Sequence, residues 1–342
     1  MAASLRVANP SWNVTANGDS VVITKDEPAP DLLAELAVPR NAIVKRMTDG
    51  APGGTGPFHI ANWQPGKKLT LAADENCWRG RPFPDTVEIE MGRSFRDQMT
   101  AIEVGKADLA EVAPEQARRW SLQGGRFVSS EPVELVALLF PRDAASPEEK
   151  LLRETLALSI ERASIRSVLL QGAGQPAASI LPEWMSGYGF VFPADADLAR
   201  ARHDREQVRT IPVWTIGYDN GDSIERLLAE RIALNAKDAG LTLQPTSSVS
   251  ADLRVVRIPL ASADPWVALN NVAAVSGLSP VKNKNGSVEE LYAGEQAMLA
   301  TETFIPLFHL PAAYISAPSL RDWSVRPDGS WNLEDAWLGG KP

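Results

Sequence analysis

Strand and helix patterns alternate in the second half of the sequence, and this order constrains the fold more than any single motif. A strand is predicted at Ile211 to Ile216, followed by an amphipathic helix from Ser223 to about Ala239. Further strands are predicted at Leu241 to Leu243 and at Arg254 to Ile258. A strand–helix–strand order packs onto a sheet as a right-handed crossover. The chain is therefore predicted to belong to the α/β class.

Two helix starts and one buried strand are predicted in the middle of the chain. Leu135 to Phe140 is a continuous apolar run, the pattern of a strand buried on both faces. Ser146-Pro147-Glu148-Glu149 predicts a helix with Ser at the N-cap, Pro at the first helical position and Glu at the third. Ser94 and Ser287 open two further helices by the same capping chemistry. The segment 171–193 is predicted to be a loop, too long to be a simple connection.

Shorter strands are predicted near the start of the chain. Asn17-Gly18 is a hairpin-turn signal between two strand patterns. Three more strands are expected at Phe58 to Trp63, Leu69 to Ala73 and Thr86 to Met91. The tail, Trp323 to Trp337, is predicted to be a loop.

Composition excludes several classes of protein. A length of 342 residues predicts two or three domains and a sizeable core, and 44% hydrophobic with 23% charged residues is typical of a globular protein. The net charge of -9 argues against a nucleic-acid partner. The lone Cys77 excludes an internal disulfide and a cysteine-based zinc cluster.

No run of 18 apolar residues occurs, so no transmembrane helix is expected. The first residues, Met1 to Arg6, contain neither a signal-peptide hydrophobic region nor a lipobox cysteine. Three explanations stay open: a chain whose leader has been removed, a fragment, or a protein that stays inside the cell.

Motifs for catalysis and cofactor binding are absent or out of context. The Gly53–Gly56 loop lacks the Gly-Lys-Ser/Thr of a phosphate loop. Gly172 to Ala177 fits G-x-G-x-x-A but follows a helix, whereas a dinucleotide site needs a preceding strand. His59, His203 and His309 form no metal-binding array, and no Gly-x-Ser-x-Gly occurs. No catalytic residue, metal site or cofactor is therefore predicted.

Tryptophan is unusually frequent, with ten tryptophans against four tyrosines. Core packing is the default explanation for most of them. Trp184, Trp214 and Trp266 are better candidates for ligand contact, because each is predicted in a loop or at a strand end in the second half of the chain. Open α/β sheets bind their ligands at strand ends.

Four motifs occur in order in the first third of the chain. They are Gly54-Thr55-Gly56-Pro57-Phe58, Trp63-Gln64-Pro65-Gly66, Asn76 to Pro82, and Ala101 to Asp108. Their order and spacing resemble the family 5 extracellular solute-binding proteins of ABC importers, the oligopeptide, dipeptide and nickel type. The segments Leu152 to Arg162, Gly172 to Pro182 and Trp331 to Trp337 extend the resemblance to the C-terminus.

This resemblance implies an α/β fold of the two-lobe, periplasmic-binding-protein-like type II class, with hinge crossings near residues 133–142 and 303–312 and the ligand between the lobes. Lobe one would comprise residues 1–132 and 311–342, with the remnant of a small extra domain at 1–46, and lobe two residues 133–310. Family members carry further residues at the front, so lobe one is expected to be incomplete. Cys77 replaces a packed residue of the family pattern and is expected to be structural and unreactive.

The resemblance also implies a ligand site on lobe two. Its candidate residues are Phe140, Arg142, Trp184, Tyr188, Trp214, Asp264 and Trp266. Stacking on the tryptophans would supply apolar area, and Asp264 or Arg142 a charged anchor. Peptide-binding members place an aspartate where this chain has Ala261, which weakens the case for recognition of a peptide's amino group. Arg254 and Arg257 could pair with an anionic ligand group, although exposed strand arginines are commoner.

We therefore expect a substrate-binding component of an ABC importer, without catalysis, in the periplasm or outside the cell. It would bind a peptide or another small polar solute as a monomer, act with a membrane permease, and bind no nucleic acid. One alternative is a shortened homologue that acts as a cytoplasmic regulator or scaffold, which the missing leader favours. The other is an α/β hydrolase or transferase, which the absent motifs disfavour.

Overall fold

The chain divides into two compact units. The computed structural model describes residues 1–26, 29–46, 52–122, 126–326 and 329–339. Met1–Ser130 together with Ala313–Pro342 forms unit 1, and Glu131–Ala312 forms unit 2.

Helices and strands alternate along most of the chain. The α-helices are α1 (Ala2–Ala8), α2 (Leu32–Ala37), α3 (Phe95–Glu103), α4 (Pro114–Leu122), α5 (Pro147–Ser159), α6 (Arg162–Val168), α7 (Glu183–Ser186), α8 (Leu198–Glu206), α9 (Ser223–Asp238), α10 (Pro265–Val275) and α11 (Val288–Leu299). A 3-10 helix covers Pro39–Asn41. The strands are β1 (Asn13–Asn17), β2 (Ser20–Thr24), β3 (Lys45–Arg46), β4 (Pro52–Gly53), β5 (Phe58–Gln64), β6 (Lys68–Ala73), β7 (Thr86–Glu90), β8 (Leu109–Val112), β9 (Arg126–Leu139), β10 (Gln175–Pro176), β11 (Val213–Gly217), β12 (Thr242–Thr246), β13 (Leu253–Pro259), β14 (Phe304–Ser316), β15 (Leu320–Arg321), β16 (Ser324–Val325), β17 (Trp331–Asn332) and β18 (Trp337–Leu338).

One sheet organises unit 2. Its strand order is β10-β14-β9-β13-β11-β12, and β8 pairs with the end of β14 within unit 1. Strand β11 is parallel to β12 and to β13, with Ile216 opposite Leu253. Strand β13 is antiparallel to β9, with Pro259 opposite Glu134. The parallel pair β11 and β12, joined through α9, confirms the predicted α/β class.

Strand β9 contributes side chains to two separate cores. Val136 and Leu138, together with Phe140 directly after the strand, belong to one core cluster, and Leu135 and Ala137 to another, with every one of them at most 2% exposed. Successive strand residues point to opposite faces of a sheet, so the two clusters lie on opposite faces of β9. The predicted burial on both faces is confirmed.

Helix caps follow the sequence patterns closely. The side chains of Ser94, Ser146 and Ser287 each accept a hydrogen bond from the backbone N–H three residues further along. These bonds satisfy a donor that the first turn of a helix leaves free. The three predicted helix starts are confirmed.

Helix α10 differs from the sequence expectation, which is a strand end at Asp264 to Trp266. Asp264 is its N-cap and accepts from the N–H groups of Trp266 and Val267, and Pro265 occupies the first helical position. The helix is predominantly apolar, so a polar–apolar periodicity does not mark it. The Asp-Pro pair is the signal that could have located its start.

Two segments predicted as loops contain short elements. The segment 171–193 includes β10 and α7, and the tail from Trp323 to Trp337 includes β16, β17 and the first residue of β18, which pairs with β15 just before the tail. Each of these strands has two residues, and α7 has four. Strands of two residues and a helix of four are too short to show a periodic pattern of apolar residues, so the sequence cannot predict them.

Strands β5, β6 and β7 form an antiparallel sheet in unit 1 with one apolar face. The register shifts between Ile60 and Asn62, so Ala61 is an extra residue. This bulge turns Trp63 onto the same face as Ile60. The face is completed by cross-strand partners on the other two strands, namely Leu69, Leu71, Ala73, Val87 and Ile89.

Exposure of the tryptophans departs from the default of core packing. Trp63 is 58% exposed and Trp78 77%, whereas Trp214 is 7% exposed and Trp266 4%. Packing is therefore the wrong expectation for Trp63 and Trp78. Cys77, beside Trp78, is half-buried, which is less enclosed than the packed position expected of it.

Replacing Leu138 with alanine should lower the free energy of unfolding by about 3 kcal/mol, because the side chain is fully buried on β9. Chemical denaturation measures the change. Val168→Ala, at an exposed position on α6, is the control and should shift stability by no more than about 0.5 kcal/mol. Equal losses in both variants would contradict the role assigned to β9.

Candidate ligand-binding site

The predicted ligand residues divide between two ends of the sheet in unit 2. Phe140 and Arg142 directly follow β9, and Trp214 lies near the start of β11. Trp184 instead donates its indole N–H at 2.8 Å to the carbonyl of Pro132, in the middle of β9 and just before the residues that pair with β13. At about 3.3 Å per strand residue, Pro132 and Leu139 are roughly 23 Å apart. The seven residues therefore do not form one patch.

The two ends are named after β13. The amino edge is the end where β13 begins, marked by Phe140, Arg142 and Trp214. The carboxyl edge is the end where it finishes, marked by Pro132, Glu134, Trp184, Asp222, Arg257 and Asp264. Ligands of open α/β sheets bind outside the carboxyl ends of the strands, so the fold favours the carboxyl edge.

At the amino edge, the aromatic rings form part of the core. Phe140 and Trp214 pack edge to face, with ring centroids 5.6 Å apart, and both are buried. The guanidinium of Arg153 lies over the ring of Phe140, 4.0 Å from its centroid. Through these contacts both rings pack into the core and stabilise it. Little of either ring is left for a ligand.

Arg142 is exposed but has an ion-pair partner. Its Nη1 atom lies 3.0 Å from Glu149, which also receives hydrogen bonds from Arg153 and from the N–H of Ala145. Burial alone would raise the pKa of Glu149, but these three donors outweigh it and lower the pKa to about 2. Glu149 is therefore ionised at neutral pH and holds Arg142 in place.

A cavity of about 460 Å³ lies beside Arg142, at the start of α5. Its lining is Asp143, Ala144, Ala145, Ser146, Pro147, Lys150 and Thr301. The ammonium of Lys150 donates to the carbonyl of Ala300, and Ser146 caps the helix. The cavity belongs to the amino edge, so we do not assign the ligand to it.

An ion-pair network centred on Arg257 lies toward the carboxyl edge. Its guanidinium contacts Glu134 at 2.6 Å and Asp222 at 2.7 Å. Burial would lower the pKa of Arg257, but the two carboxylates outweigh this effect and raise it. Burial likewise would raise the pKa of Asp222, but Arg257 and the helix N–H groups lower it below its ordinary value. Arg257 and Asp222 are therefore both charged at neutral pH.

Neither candidate arginine on β13 is free to receive an anion. Arg257 is occupied by its two carboxylates, and Arg254 donates to the carbonyls of Ser248 and Val249. The geometry therefore gives no support for the binding of an anionic ligand by Arg254 and Arg257.

Asp219 and Glu225 add negative charge beside the network. The backbone N–H of Asp219 donates to Glu225 at 2.7 Å. Burial raises the pKa of Glu225, and the neighbouring carboxylates of Asp222 and Asp219 raise it further. Carboxylates thus outnumber the guanidinium of Arg257 here. This imbalance suits a polar ligand that presents hydrogen-bond donors.

The remaining candidates have structural partners in unit 2. Trp266 is buried in the core cluster that Tyr188 also packs against, and the Tyr188 ring meets Tyr292 edge to face, with centroids 5.2 Å apart. Asp264 caps α10 through its carboxylate. Trp184 is half-buried and stands on the one-turn helix α7. It combines partial exposure with a fixed indole, which suits a ligand-stacking role.

Glu134 and Asp222 are carboxyl-edge residues that the sequence patterns do not single out, and the sequence predicts Arg257 only as a possible partner of an anionic ligand group. Asp222 immediately precedes a helix that follows a parallel strand, and this position alone could have identified it. The pairing of Glu134 with Arg257 depends on the antiparallel register of β9 and β13, which no local pattern encodes.

No helix in the described part of the chain is long and apolar enough to cross a membrane. Within the same residues, no three His, Cys, Asp or Glu side chains are grouped to hold a metal ion.

Comparison with known proteins points to one family. The family model described as "Bacterial extracellular solute-binding proteins, family 5 Middle" matches residues 11–275. The nickel-binding protein NikA of Staphylococcus aureus is 27% identical over 175 residues, which cover 50% of this chain and 36% of NikA. The matched segment thus spans little more than a third of that relative.

Solved structures share the fold. The dipeptide binding protein of Pseudoalteromonas sp. SM9913, in complex with Met-Leu, has a TM-score of 0.80 at 14% identity, covering 95% of this chain and 75% of that one. Staphylococcus aureus NikA, in complex with Ni(L-His)2, has a TM-score of 0.78 at 17% identity, covering 96% and 81%. The predicted periplasmic-binding-protein-like fold class is confirmed.

Removing the carboxylate of Asp222 should test the network. Asp222→Ala loses a helix cap and an ion pair, so we expect a loss of about 2 kcal/mol in unfolding free energy. Asp197→Ala removes only the cap of α8 and should cost about 1 kcal/mol.

The loss of unfolding free energy caused by Asp222→Ala should also depend on pH. Folding lowers the pKa of Asp222, so its contribution is complete above the ordinary value of 3.8 and is lost as the pH falls below it. Urea denaturation at pH 7 and pH 3 measures both variants. A cost for Asp222→Ala that matches Asp197→Ala at pH 7 would contradict the ion pair's contribution.

Proposed function

Because the chain belongs to the bacterial extracellular solute-binding proteins of family 5, we propose that it is the substrate-binding component of an ABC-type importer. The match over residues 11–275 carries this proposal. The family consists of solute-binding proteins rather than enzymes, and its members are extracellular or periplasmic. We assign this chain to the same compartment. It captures a solute there as a monomer and delivers it to a membrane permease.

The proposed ligand is a peptide or another small polar solute. Two proteins of the same fold support this class, one crystallised with Met-Leu and one with Ni(L-His)2. The excess of carboxylates at the carboxyl edge also supports a ligand with hydrogen-bond donors. The position equivalent to the peptide-binding aspartate is Ala261, whose backbone φ is +64°. A peptide's amino group must therefore be bound by another side chain, if a peptide is the ligand.

Trp184 is the proposed aromatic contact of the ligand. Its indole is half-buried, and its N–H is fixed on the Pro132 carbonyl at the carboxyl edge. Among the other predicted contacts, Trp214 and Trp266 are buried, so their substitution should act mainly through stability. Phe140, Arg142, Tyr188 and Asp264 remain proposed contacts that have structural partners as well.

Trp184→Ala should weaken ligand affinity at least tenfold, because an aromatic anchor commonly contributes about 2 kcal/mol or more to binding. Native mass spectrometry of protein purified without denaturation first identifies any ligand that co-purifies. Isothermal titration then compares the variant with its parent, using that ligand, or Met-Leu where none co-purifies.

Trp63→Ala is the matched control, because Trp63 is exposed on unit 1 and should leave affinity unchanged. Trp214→Ala and Trp266→Ala should lower the thermal midpoint before they change affinity. Unchanged affinity in folded Trp184→Ala would refute the assignment of this contact. Failure of the parent to bind peptides, histidine complexes and any co-purified solute would count against the importer function itself.

A further inference from the structure

One buried peptide unit in unit 2 is bound on both sides by ionisable side chains. The N–H of Leu181 donates to Oε1 of Glu295 at 2.6 Å. The carbonyl of Ile180, in the same peptide unit, accepts from Nε2 of His309 at 2.9 Å. Glu295 comes from α11 and His309 from β14, so two separate elements bind one peptide plane.

This arrangement is deeply buried. Ile180, Leu181 and Glu295 are fully buried, and His309 is 3% exposed. Ser179 closes the same turn by donating its hydroxyl to the carbonyl of Leu181 at 2.6 Å. A backbone unit buried this far from water needs both of its hydrogen bonds. The two side chains supply them where no neighbouring strand does.

The second oxygen of Glu295 is not used by the peptide unit. The hydroxyl of Tyr188 lies close to Glu295, and the two side chains interact. Burial raises the pKa of Tyr188 most, and the charge and hydrogen bond of Glu295 raise it further. Tyr188 lies on the bound segment itself, so Glu295 acts on that segment at two points.

We propose that Glu295 and His309 form a peptide clamp that positions Trp184 for ligand contact. The proposal rests on the proposed function in one respect, namely that Trp184 contacts the solute. Glu295 and His309 are positioning residues and do not touch the ligand. Only Pro182 and Glu183 separate the clamped peptide from Trp184, and Pro182 is the N-cap of α7.

Trp184 is thereby fixed from two sides. The clamp holds its backbone, and the carbonyl of Pro132 holds its indole N–H. If the clamp opens, α7 can shift while the indole bond alone remains. Stacking on an aromatic ring depends on its position, so a loosened clamp weakens binding without removing a ligand contact.

The two ionisable groups respond to pH in opposite directions. Burial raises the pKa of Glu295 to about 7 from an ordinary 4.5, and burial lowers the pKa of His309 to about 4 from 6.5. Tyr188 on the clamped segment and Tyr292 on α11 are the other titratable side chains of the cluster, and burial raises the pKa of Tyr188 further above this range. The closed clamp is therefore neutral near pH 5.5.

The signs of the two effects follow from proton linkage. The raised pKa of Glu295 stabilises the closed clamp fully below pH 4.5, and this is lost as the pH rises through about 7. The lowered pKa of His309 has the reverse effect, so the closed clamp gains stability as the pH rises from about 4 to 6.5. Between pH 4.5 and 6.5 the two effects offset each other, and the clamp of the parent protein should be insensitive to pH.

Hydrogen exchange read by mass spectrometry tests the clamp without any ligand. Glu295→Leu and His309→Phe each remove one bond to the peptide unit, and we expect exchange in the segment 177–191 to rise at least tenfold. Glu295→Gln keeps an acceptor for Leu181 and should protect the segment at least as well as the parent. Glu289→Gln on α11 and His203→Gln on α8 are exposed controls and should change nothing.

The pH profile distinguishes a clamp from simple packing. After correction for intrinsic exchange, segment exchange in Glu295→Gln should slow between pH 4 and 6.5 by one to two orders of magnitude, because only His309 still titrates. His309→Gln should show acceleration between pH 4.5 and 7, because only Glu295 titrates. Parallel profiles in the two variants, or segment exchange that rises only with exchange of all of unit 2, would overturn the proposal.

Titration with Met-Leu, or with a co-purified ligand, completes the test. Glu295→Leu should weaken binding about tenfold, and Glu295→Gln should restore it at pH 6. Faster exchange with unchanged affinity would show that the clamp does not position a ligand contact, and would overturn that part of the proposal. Absence of binding in the parent, with the exchange results as expected, would support the clamp and count against the proposed function alone.

Discussion

Strand β9 is the element on which unit 2 depends. Its alternate side chains enter two different cores, so any displacement of the strand disturbs both. Its neighbours in the sheet are β13 and β14, and the part that pairs with β13 carries different chemistry at its two limits. The buried rings of Phe140 and Trp214 cover the limit at Leu139, and the ion pair of Glu134 with Arg257 lies at the other. A single strand therefore sets the position of both edges.

Side-chain hydrogen bonds fix the segments that the sheet cannot reach. Asp222 and Asp264 begin helices at or near the carboxyl edge, and Glu295 with His309 satisfies a peptide unit in the Trp184 segment. Loops lack the ladder bonds of strands, yet binding residues are commonly carried on them. Charged and polar side chains here provide the rigidity that a strand obtains from its neighbours.

The sequence predicts the regular parts of the fold well. The strand run ending at Phe140 and the capped helices after Ser94, Ser146 and Ser287 are confirmed because each depends on local chemistry. Helix α10 is missed because it is apolar on most sides, so its sequence does not alternate between apolar and polar residues with the helical period. The site is harder to predict, since the meeting of Glu134 with Arg257 is set by pairing between distant strands. The same limit explains why aromatic type alone cannot separate half-buried Trp184 from buried Trp266.

The bulge at Ala61 shows how one residue can govern an entire strand face. In a regular strand of the same length, residues 60 and 63 would lie on opposite faces, so Trp63 would face the polar side and Gln64 would take its place. Deleting residue 61 would remove the bulge and still leave Trp63 opposite Leu69, on the face of Ile60. A related chain that lacks a residue at position 61 would therefore keep the apolar face of this strand, whereas a one-residue deletion at Trp63, with the bulge kept, would place Gln64 on that face.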